Sequence, residues 1–303
     1  MAKMHGSRVT ALAWPSAPHS VDADSVHDRS IGDILQRTRD LTDEQIAAVL
    51  QYQRDRGMRF GEAAIALGFV SDKDVLFALS QQFHYHYAPE DQRSFSAELV
   101  VANQPFSLQA ESFRAIRSQL TMRFFGDEGS RPALAVVSPE SGDGKTFFCA
   151  NLAVALSQLG GRTLLVDADM RGPRQQHLFG IENTAGLSGL LSGRSNVDVI
   201  QQVDDLPSLY VLPVGNMPPN PVELLERPAF GFLMRELTSK FDHVIVDTPA
   251  RFYGADAQLI AAKCGAALVV ARKDLSRIKA LQELVRTIGD GPAKLVGVIM
   301  NDY

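Results

Sequence analysis

The residues with the clearest chemical potential form a short glycine-containing segment near the middle of the chain. Residues 138–146 read Ser-Pro-Glu-Ser-Gly-Asp-Gly-Lys-Thr and stand between an apolar run and a stretch of helical periodicity. Gly142 and Gly144 allow backbone N–H groups to close around phosphate oxygens, and the start of the helix adds a partial positive charge. Lys145 can neutralise phosphate charge, and the hydroxyl of Thr146 is suited to Mg²⁺. The segment therefore predicts a site for ATP and Mg²⁺ formed by Ser141, Gly142, Asp143, Gly144, Lys145 and Thr146.

One position of this segment departs from the general phosphate-loop pattern. Six residues before the lysine the pattern has glycine, whereas this chain has Pro139. A glycine-rich turn ahead of a surface helix is the alternative interpretation. The order of strand, loop and helix favours the phosphate loop, because the helix that follows has an apolar stripe made of Phe148, Leu152, Ala155, Leu156 and Leu159.

Three carboxylates follow two other apolar runs. Asp167 and Asp169 come after residues 163–166, and Asp247 comes after residues 243–246. Isolated acids at such positions can be ordinary loop residues or helix caps. The carboxyl ends of parallel strands meet at one edge of a sheet, where α/β proteins bind ligands. Three like charges beside a Lys-Thr phosphate loop therefore predict a Mg²⁺–nucleotide site.

The elements that must position these groups alternate along the second part of the chain. Apolar runs and amphipathic stretches follow one another from residue 133 onward, and the runs are ALAVV, TLLVD, LYVLPV, HVIVD, AALVVA and KLVGVIM. This alternation predicts an α/β fold with a mostly parallel sheet flanked by helices. Residues 107–125 predict a further helix that packs on this fold with one apolar stripe, formed by Phe113, Ile116, Leu120 and Phe124.

The first part of the chain has a different organisation. Residues 1–28 lack periodicity and predict a disordered tail. Residues 29–87 predict a small all-α module with an internal repeat, since five pairs match at an offset of 29, among them Gly32 with Gly61 and Leu50 with Leu79. Thr42 and Ser71 have the pattern of helix N-caps. Residues 88–105 predict a linker, and residues 106–303 the phosphate-loop domain.

Composition excludes several classes of protein. A net charge of −5 provides no electrostatic basis for nucleic-acid binding. No apolar run approaches the roughly 18 residues of a membrane span, and the first residues do not predict a signal peptide. The only two cysteines, Cys149 and Cys264, fit neither a disulfide framework nor a metal site. These features predict a cytoplasmic protein.

The motifs together resemble those of a known family. SPESGDGKTFFCANLA, LLVDADMRGPRQQHLFG and VIVDTPA are similar to the Walker A, A′ and B motifs of bacterial tyrosine kinases that control capsule and exopolysaccharide synthesis. The resemblance covers residues 106–303. It includes GNMPPNPVELL at residues 215–225 and a segment similar to the family's E-x-x-R-x-x-R oligomerisation helix, with Glu111, Arg114 and Arg117 in the matching positions.

The resemblance implies an activity and roles for individual residues. Lys145 and Thr146 would hold the phosphates and Mg²⁺, Asp169 and Asp247 would organise the metal, and Asp167 would accept the proton of the attacking tyrosine. The implied activity is ATP-dependent tyrosine autophosphorylation that regulates polysaccharide polymerisation or export.

The resemblance also implies partners. Kinases of this family form homo-oligomeric rings in which tail tyrosines of one protomer enter the site of the next. Where they usually have a tyrosine cluster, this sequence has Tyr303 as its candidate acceptor. A separate membrane-anchored adaptor of the chain-length-regulator type would recruit the protein to the inner face of the membrane.

Two alternatives to the kinase remain open. Dimerising switch ATPases of the deviant-Walker type have a signature lysine five residues before the loop lysine, but this chain has Glu140, of opposite charge. The second alternative is a nucleotide-binding scaffold without tyrosine transfer.

The helical repeat resembles the N-terminal domain of type II secretion ATPases, some of which bind cyclic-di-GMP. Arg59, Gly61 and Gly68 match the second of that domain's two motifs, whereas the first copy has Ser30 where arginine is expected. Serine cannot stack on a guanine or pair with a phosphate as arginine does. A cyclic-di-GMP site at Arg59, Gly61 and Gly68 and a docking module without a ligand are both left open.

Overall fold

The computed structural model describes residues 30–82, 95–126, 132–194 and 199–302. The predicted tail over residues 1–28 and the candidate acceptor Tyr303 lie outside these ranges. Residues 30–82 form a helical unit, and the other ranges form an α/β unit around one sheet.

The helical unit consists of α1 (Ile31–Arg39), α2 (Asp43–Arg56), α3 (Phe60–Ala66) and α4 (Asp72–Gln82). Its own apolar core includes the fully buried side chains of Leu35, Val49, Ala63, Ala64 and Ala78. Because this core is separate from the two cores of the sheet, the four helices pack on one another as a unit.

The caps of these helices repeat with the period seen in the sequence. The hydroxyl of Thr42 accepts the Gln45 N–H at 3.2 Å, and the hydroxyl of Ser71 accepts the Asp74 N–H at 3.3 Å. Gln45 and Asp74 return a bond to the backbone N–H of Thr42 and Ser71, which completes a capping box in each repeat. The predicted N-caps are confirmed, and replacing either cap with alanine removes about 1 kcal/mol of helix stability.

The α/β unit is built on a seven-stranded sheet, as far as the described residues show. The strand order is β3-β4-β2-β5-β1-β6-β7. All neighbours are parallel except β3 and β4, which pair antiparallel at one edge. The predicted mostly parallel sheet is confirmed, although β3 has only three residues and was not predicted. The strands are β1 (Ala133–Val137), β2 (Thr163–Asp167), β3 (Gln201–Val203), β4 (Leu206–Leu212), β5 (His243–Asp247), β6 (Gly265–Arg272) and β7 (Lys294–Asn301).

Helices cover both faces of the sheet, and successive side chains of the central strands enter opposite cores. In β1, Ala133, Ala135 and Val137 join one core, while Leu134 and Val136 join the other. The helices are α5 (Val100–Asn103), α6 (Leu108–Leu120) with a π-helical turn (Thr121–Phe125), α7 (Lys145–Ser157), α8 (Gln175–Phe179), α9 (Leu187–Ser192), α10 (Pro221–Glu226), α11 (Pro228–Lys240), a 3₁₀ turn (Arg251–Tyr253), α12 (Asp256–Cys264) and α13 (Ile278–Gly289).

Residues 95–105, the described part of the linker predicted over residues 88–105, are packed and hydrogen-bonded on the α/β unit, whereas residues 88–94 lie outside the described ranges. Leu99 is fully buried, and α5 packs on α7. The Val101 N–H donates to Asn151 Oδ1 at 3.0 Å, and Asn151 Nδ2 donates to the Glu98 carbonyl at 2.9 Å. Residues 95–105 therefore belong to the α/β unit. A four-residue helix is too short to show a period, which is why the sequence pattern indicated a linker.

Two further details concern apolar positions. The stripe predicted over residues 107–125 is confirmed, with Phe113, Leu120 and Phe124 buried. Leu159, predicted as part of the α7 stripe, lies beyond the end of that helix and is 50% exposed. No helix in the described part of the chain is both long and apolar enough to cross a membrane.

Candidate nucleotide site

The phosphate loop joins β1 to α7, as the sequence predicts. Gly142 and Gly144 have φ angles of +86° and +94°, in the left-handed region that glycine adopts without a steric cost. A Cβ atom added at Gly144 would collide with the amide of Asn301. Glycine is therefore required at position 144 by both its backbone conformation and the space around it.

Lys145 begins α7 and lies almost fully buried. Its Nζ donates to the hydroxyl of Ser138 at 2.9 Å, and that hydroxyl donates to the carbonyl of Glu140 at 2.7 Å. The ammonium group is therefore held against the base of the loop, and a phosphate entering the loop would meet a cation already in position.

Asp143 braces the loop from inside. Its carboxylate is fully buried and accepts the Ser276 hydroxyl at 2.6 Å and the Glu140 N–H at 2.8 Å. The Asp143 carbonyl accepts Asn301 Nδ2 at 3.0 Å. The Asp143 side chain therefore points into the protein, which leaves only the backbone of this residue for the predicted phosphate contact, and that contact stays a prediction.

Asp167 and Asp247 end neighbouring strands at the same level, since β2 and β5 pair these two residues in register. Both are fully buried. Asp167 accepts the backbone N–H groups of Asp169 at 3.1 Å, Arg174 at 3.2 Å and Gln175 at 3.1 Å. Burial, followed by the charge of Asp247, raises the pKa of Asp167 well above its usual range, although the backbone hydrogen bonds oppose the shift.

Asp247 is only partly paired. Its Oδ2 accepts Gln175 Nε2 at 2.9 Å, whereas its buried Oδ1 has no hydrogen-bond partner within the described residues. Burial raises the pKa of Asp247 to about 6, against the opposing effects of Lys145, Gln175 and Thr146. An unpaired buried carboxylate oxygen is costly unless a cation or another donor reaches it.

Asp169 is the partly exposed carboxylate of the three. It lines the cleft, and its Oδ1 accepts the N–H groups of Arg171 at 3.1 Å and Gly172 at 3.0 Å. The turn is fixed further by Arg171, whose Nε and Nη2 each donate to Asp256 at 3.1 Å. These bonds place Asp169 at the rim of the site, next to the deeper pair of carboxylates.

The residues present fit Mg²⁺ bound together with a nucleotide. The described residues contain no group of three or more His, Cys, Asp or Glu side chains arranged to hold a metal ion by themselves. Mg²⁺ is usually held by one or two carboxylates together with waters and substrate phosphates. The unpaired oxygen of Asp247, the Thr146 hydroxyl and the Asp169 carboxylate are oxygen ligands of the type that Mg²⁺ prefers.

A cleft of about 440 Å³ lies beside the phosphate loop and Asp169, and the fully buried Asp167 and Asp247 are not among the residues that line it. Its volume is in the range of small-ligand pockets. Its walls include predicted residues, namely Ser141, Gly142, Gly144, Lys145, Thr146 and Asp169. They also include seven residues that were not predicted as part of the site, namely Glu98, Phe147, Gly172, Arg174, Tyr253, Arg272 and Asn301.

The positions of Arg272 and Asn301 in the sequence could have identified them as residues of the site. Each stands at the carboxyl end of a strand, β6 or β7, on the side of the sheet next to β1. Arg272 directly follows the apolar run AALVVA, and its Nη1 donates to the Gly142 carbonyl at 3.3 Å. Gln175, which joins Asp247 to the Thr146 carbonyl, had no comparable signal.

The predicted oligomerisation residues lie on α6. Glu111 and Arg114 form an ion pair at 2.7 Å, and Arg114 also donates to the Pro105 carbonyl. Arg117 donates from Nη1 to the Ala155 carbonyl at 2.8 Å. Both arginines thus also make contacts within the chain.

The helical unit places its predicted ligand residues differently. Arg59 is exposed, Gly61 packs so closely on Val75 that a Cβ atom would overlap its side chain, and Gly68 has a φ angle of +71° in a turn. Both glycines therefore have structural roles of their own, and cyclic-di-GMP binding stays a prediction.

Comparison with protein families assigns the α/β unit. The family model described as "CobQ/CobB/MinD/ParA nucleotide binding domain" matches residues 134–303. The match includes the phosphate loop and all three carboxylates.

Individual relatives narrow the assignment. The chain is 33% identical over 205 residues to "Tyrosine-protein kinase wzc" of Salmonella typhimurium, which covers 68% of this chain but only 28% of that protein. It is 32% identical over 212 residues to "Putative tyrosine-protein kinase CapB" of Staphylococcus aureus, covering 69% of this chain and 91% of the relative. The solved kinase domain of the Escherichia coli tyrosine kinase ETK superposes with a TM-score of 0.65 at 29% identity, covering 71% of this chain and 84% of that domain.

Proposed function

The chain belongs to the CobQ/CobB/MinD/ParA nucleotide-binding family and, within it, to the bacterial tyrosine kinases, and from that premise we propose that it is an ATP-dependent protein-tyrosine kinase that phosphorylates itself. The observation that carries the proposal is a cleft lined by Lys145, Thr146 and Asp169. Gln175 joins Thr146 of this cleft to the buried carboxylate edge, which Asp167 and Asp247 form at the ends of β2 and β5 and where one oxygen of Asp247 has no hydrogen-bond partner among the described residues. These are the parts that positioning and charge neutralisation require in phosphoryl transfer.

The backbone of residues 141–146 would hold the nucleotide phosphates, with Lys145 next to the terminal phosphates. Thr146, Asp169 and Asp247 would hold Mg²⁺, which when bound supplies positive charge to the phosphate oxygens. Arg272 and Arg174 also line the cleft, and Arg174 pairs there with Glu98 at 2.6 Å, so Arg272 is the cation of the two without a carboxylate partner among the described residues. The arrangement stabilises the charge that develops as the terminal phosphoryl group leaves ADP.

Asp167 is proposed as the group that takes the phenolic proton of the attacking tyrosine, a role implied by its match to the family motif. Its three backbone hydrogen bonds fix the carboxylate next to Asp169. A carboxylate in this position would let the phenolic oxygen attack the γ-phosphorus while the bond to the bridging oxygen breaks. Asp167→Asn is expected to retain ATP binding and to lose transfer.

Glu140 weighs against the dimerising switch ATPase. It stands where that class has its signature lysine, and its N–H is used inside the loop as a donor to Asp143. A carboxylate at this position cannot neutralise phosphate across a dimer interface.

The proposal extends to acceptors and partners on the strength of the family resemblance. Tyr303 is proposed as an acceptor for a neighbouring protomer, in a homo-oligomer to which Glu111, Arg114 and Arg117 contribute. A membrane-anchored chain-length regulator is proposed as the adaptor, with exopolysaccharide polymerisation or export as the process controlled.

The test is phosphotyrosine mapping by mass spectrometry after incubation of the purified chain with Mg-ATP. Lys145→Met is expected to lower phosphotyrosine formation by at least about a hundredfold, because the loop loses its cation. Lys240→Met is the matched control, since Lys240 pairs with Glu236 on the surface of α11 at 3.1 Å. Absence of phosphotyrosine from the wild type, with or without the adaptor, would exclude a kinase in favour of a nucleotide-gated switch or scaffold.

A further inference from the structure

One buried glutamine contacts a residue of each motif of the nucleotide site. Gln175 is the first residue of α8 and is fully buried. Its backbone N–H donates to Asp167 at 3.1 Å, while its side-chain Nε2 donates to Asp247 Oδ2 at 2.9 Å and to the Thr146 carbonyl at 3.2 Å. A single residue therefore joins the phosphate loop to the carboxyl ends of β2 and β5.

The orientation of the Gln175 amide follows from its two side-chain partners. The ionised Asp247 carboxylate and the Thr146 carbonyl can only accept hydrogen bonds. A flipped amide would place Oε1 against two oxygen atoms, so the NH₂ group must face them. Oε1 then lies on the other side of the amide, where it is buried and has no hydrogen-bond partner within the described ranges.

This oxygen requires a donor or a cation. A buried acceptor without a partner destabilises the folded protein, and an exception of this kind in a functional region needs a physical explanation. Asp247 Oδ1, on the carboxylate that Gln175 holds, is likewise buried and without a partner in the described part of the chain. Two unpaired oxygens on side chains that are hydrogen-bonded to each other favour a ligand that brings positive charge and hydrogen-bond donors.

Hydrated Mg²⁺ meets both requirements. The ion usually keeps several of its waters and binds to proteins through one or two carboxylates. Its waters donate hydrogen bonds, and a side chain that holds a ligating carboxylate fixes the orientation of that carboxylate. An amide supplies both functions without adding a further negative charge to an edge that already contains Asp167 and Asp247.

We propose that Gln175 is a positioning residue for Mg²⁺, which orients the Asp247 carboxylate, ties it to the phosphate loop at Thr146 and offers Oε1 to a water of the hydrated ion. The inference rests on the proposed function in its need for a Mg²⁺–nucleotide site, and it adds to that site a residue that holds the metal ligands. Gln175 thereby couples metal binding at the carboxylate edge to phosphate binding in the loop.

The next residue of the chain provides a matched control. Gln176 is also almost fully buried, and its Oε1 also lacks a partner among the described residues. Its Nε2, however, donates to the Pro173 carbonyl at 3.2 Å. Methionine at position 175 or 176 therefore removes the same amide from the same helix, but only the first substitution removes a contact with the metal ligands.

Isothermal titration calorimetry of the full chain with ATP, in EDTA and in Mg²⁺, tests the proposal. In Gln175→Met the gain in ATP affinity that Mg²⁺ provides should fall by about tenfold or more, as is typical when a group that holds a metal ligand is removed. Affinity for ATP in EDTA should change by less than about twofold, because Lys145 and the loop backbone are retained. Gln176→Met should keep both wild-type affinities.

A second variant separates positioning from a loss of folding. Gln175→Asn retains an amide but is one methylene group shorter, so it cannot span Asp247 and Thr146 as glutamine does. It should also reduce the Mg²⁺-dependent gain, and it replaces Gln175→Met if a circular-dichroism melt shows that the methionine variant is unfolded. A merely structural role would lower ATP affinity equally with and without Mg²⁺.

The possible outcomes distinguish this inference from the kinase proposal. Equal losses in EDTA and in Mg²⁺, or a full Mg²⁺-dependent gain in the folded Gln175 variants, would overturn the positioning role and leave the kinase proposal intact. A wild type without any Mg²⁺-dependent gain would overturn the positioning role together with the proposed metal ligands. A wild type that shows the gain but forms no phosphotyrosine would overturn the kinase alone.

Discussion

The phosphate loop and the carboxylate edge of Asp167 and Asp247 adjoin each other, because Gln175 donates both to Asp247 and to the Thr146 carbonyl, yet they differ in how completely their polar groups are paired. In the loop, the buried Asp143 carboxylate has two donors, and Lys145 is held by Ser138. At the edge, Asp167 and Asp247 are buried like charges on adjacent strands, and one oxygen of Asp247 has no partner among the described residues.

The difference indicates which part of the site is complete before a ligand arrives. A loop whose Asp143 and Lys145 side chains are already held in place can receive phosphates without rearrangement, so binding loses little free energy to ordering. An underpaired carboxylate edge lowers the stability of the metal-free protein and is stabilised when a cation enters. The metal-free protein is thus less stable at the carboxylate edge, where the proposed phosphoryl transfer requires charged groups.

The largest effect is expected from a change that distorts the loop itself. Gly144→Ala forces a left-handed conformation on alanine and drives its methyl group into Asn301. ATP affinity should fall by about tenfold to a hundredfold in isothermal titration calorimetry. Gly160→Ala is the matched control, because Gly160 also has a left-handed φ angle of +87°, nothing lies within 4 Å of a Cβ atom added there, and it does not line the cleft. Unchanged affinity in Gly144→Ala would show that the loop is not preformed as described.

A second prediction concerns the cost in folding free energy of burying the Asp247 carboxylate when no metal ion is bound. Because burial raises the pKa of Asp247 from its ordinary value of 3.8 to about 6 in the folded protein, the folded state binds more protons than the unfolded state between about pH 4 and pH 6. The free energy of unfolding therefore falls as pH rises through this window, and the loss persists above it. Asp247→Asn removes this contribution and should stabilise the metal-free protein at pH 7.5 by about 1–3 kcal/mol.

Chemical denaturation in EDTA at pH 4 and pH 7.5 measures that difference. Asp290→Asn, a change at an exposed carboxylate, should leave both values unchanged. A destabilised Asp247→Asn at pH 7.5 would mean that the carboxylate is fully compensated by Lys145 and Gln175 without a metal ion.

The smallest effect is expected where one hydrogen bond of the loop is removed. Ser276→Ala leaves Asp143 Oδ1 without its donor, although Oδ2 keeps the Glu140 N–H. A loss of about 1 kcal/mol corresponds to an ATP affinity lower by roughly fivefold. Ser239→Ala, which removes a surface hydroxyl on α11, is the control for the calorimetry. Equal affinities of the two variants would show that Asp143 needs no brace from Ser276.

Much of the fold and the core of the site followed from local sequence patterns. The left-handed glycines, the lysine at the start of a helix and acids at strand ends are signals carried by a few consecutive residues. Six of the strands are apolar runs that are long enough to be identified in the sequence. β3 could not be identified, because it has only three residues and two of them are glutamines.

The parts that were missed depend on contacts between distant residues. Ser276 and Asn301 reach the loop from 133 and 158 residues away, and Gln175 reaches Asp247 over 72 residues. Tyr253 follows the third motif at no fixed spacing that would identify it as a cleft residue. Such placements depend on strand order and register, which a short sequence pattern does not contain.

The central claim is that a preformed phosphate loop lies beside a carboxylate edge whose Asp247 needs a cation. The most direct test is to measure ATP binding by calorimetry with and without Mg²⁺, in the wild type and in Asp247→Asn. In the wild type, Mg²⁺ should raise ATP affinity by at least about tenfold. In Asp247→Asn that gain should disappear, while affinity for ATP alone stays equal or rises because a negative charge has been removed. A full Mg²⁺-dependent gain in Asp247→Asn would contradict the account, since the metal would then bind without the unpaired carboxylate oxygen.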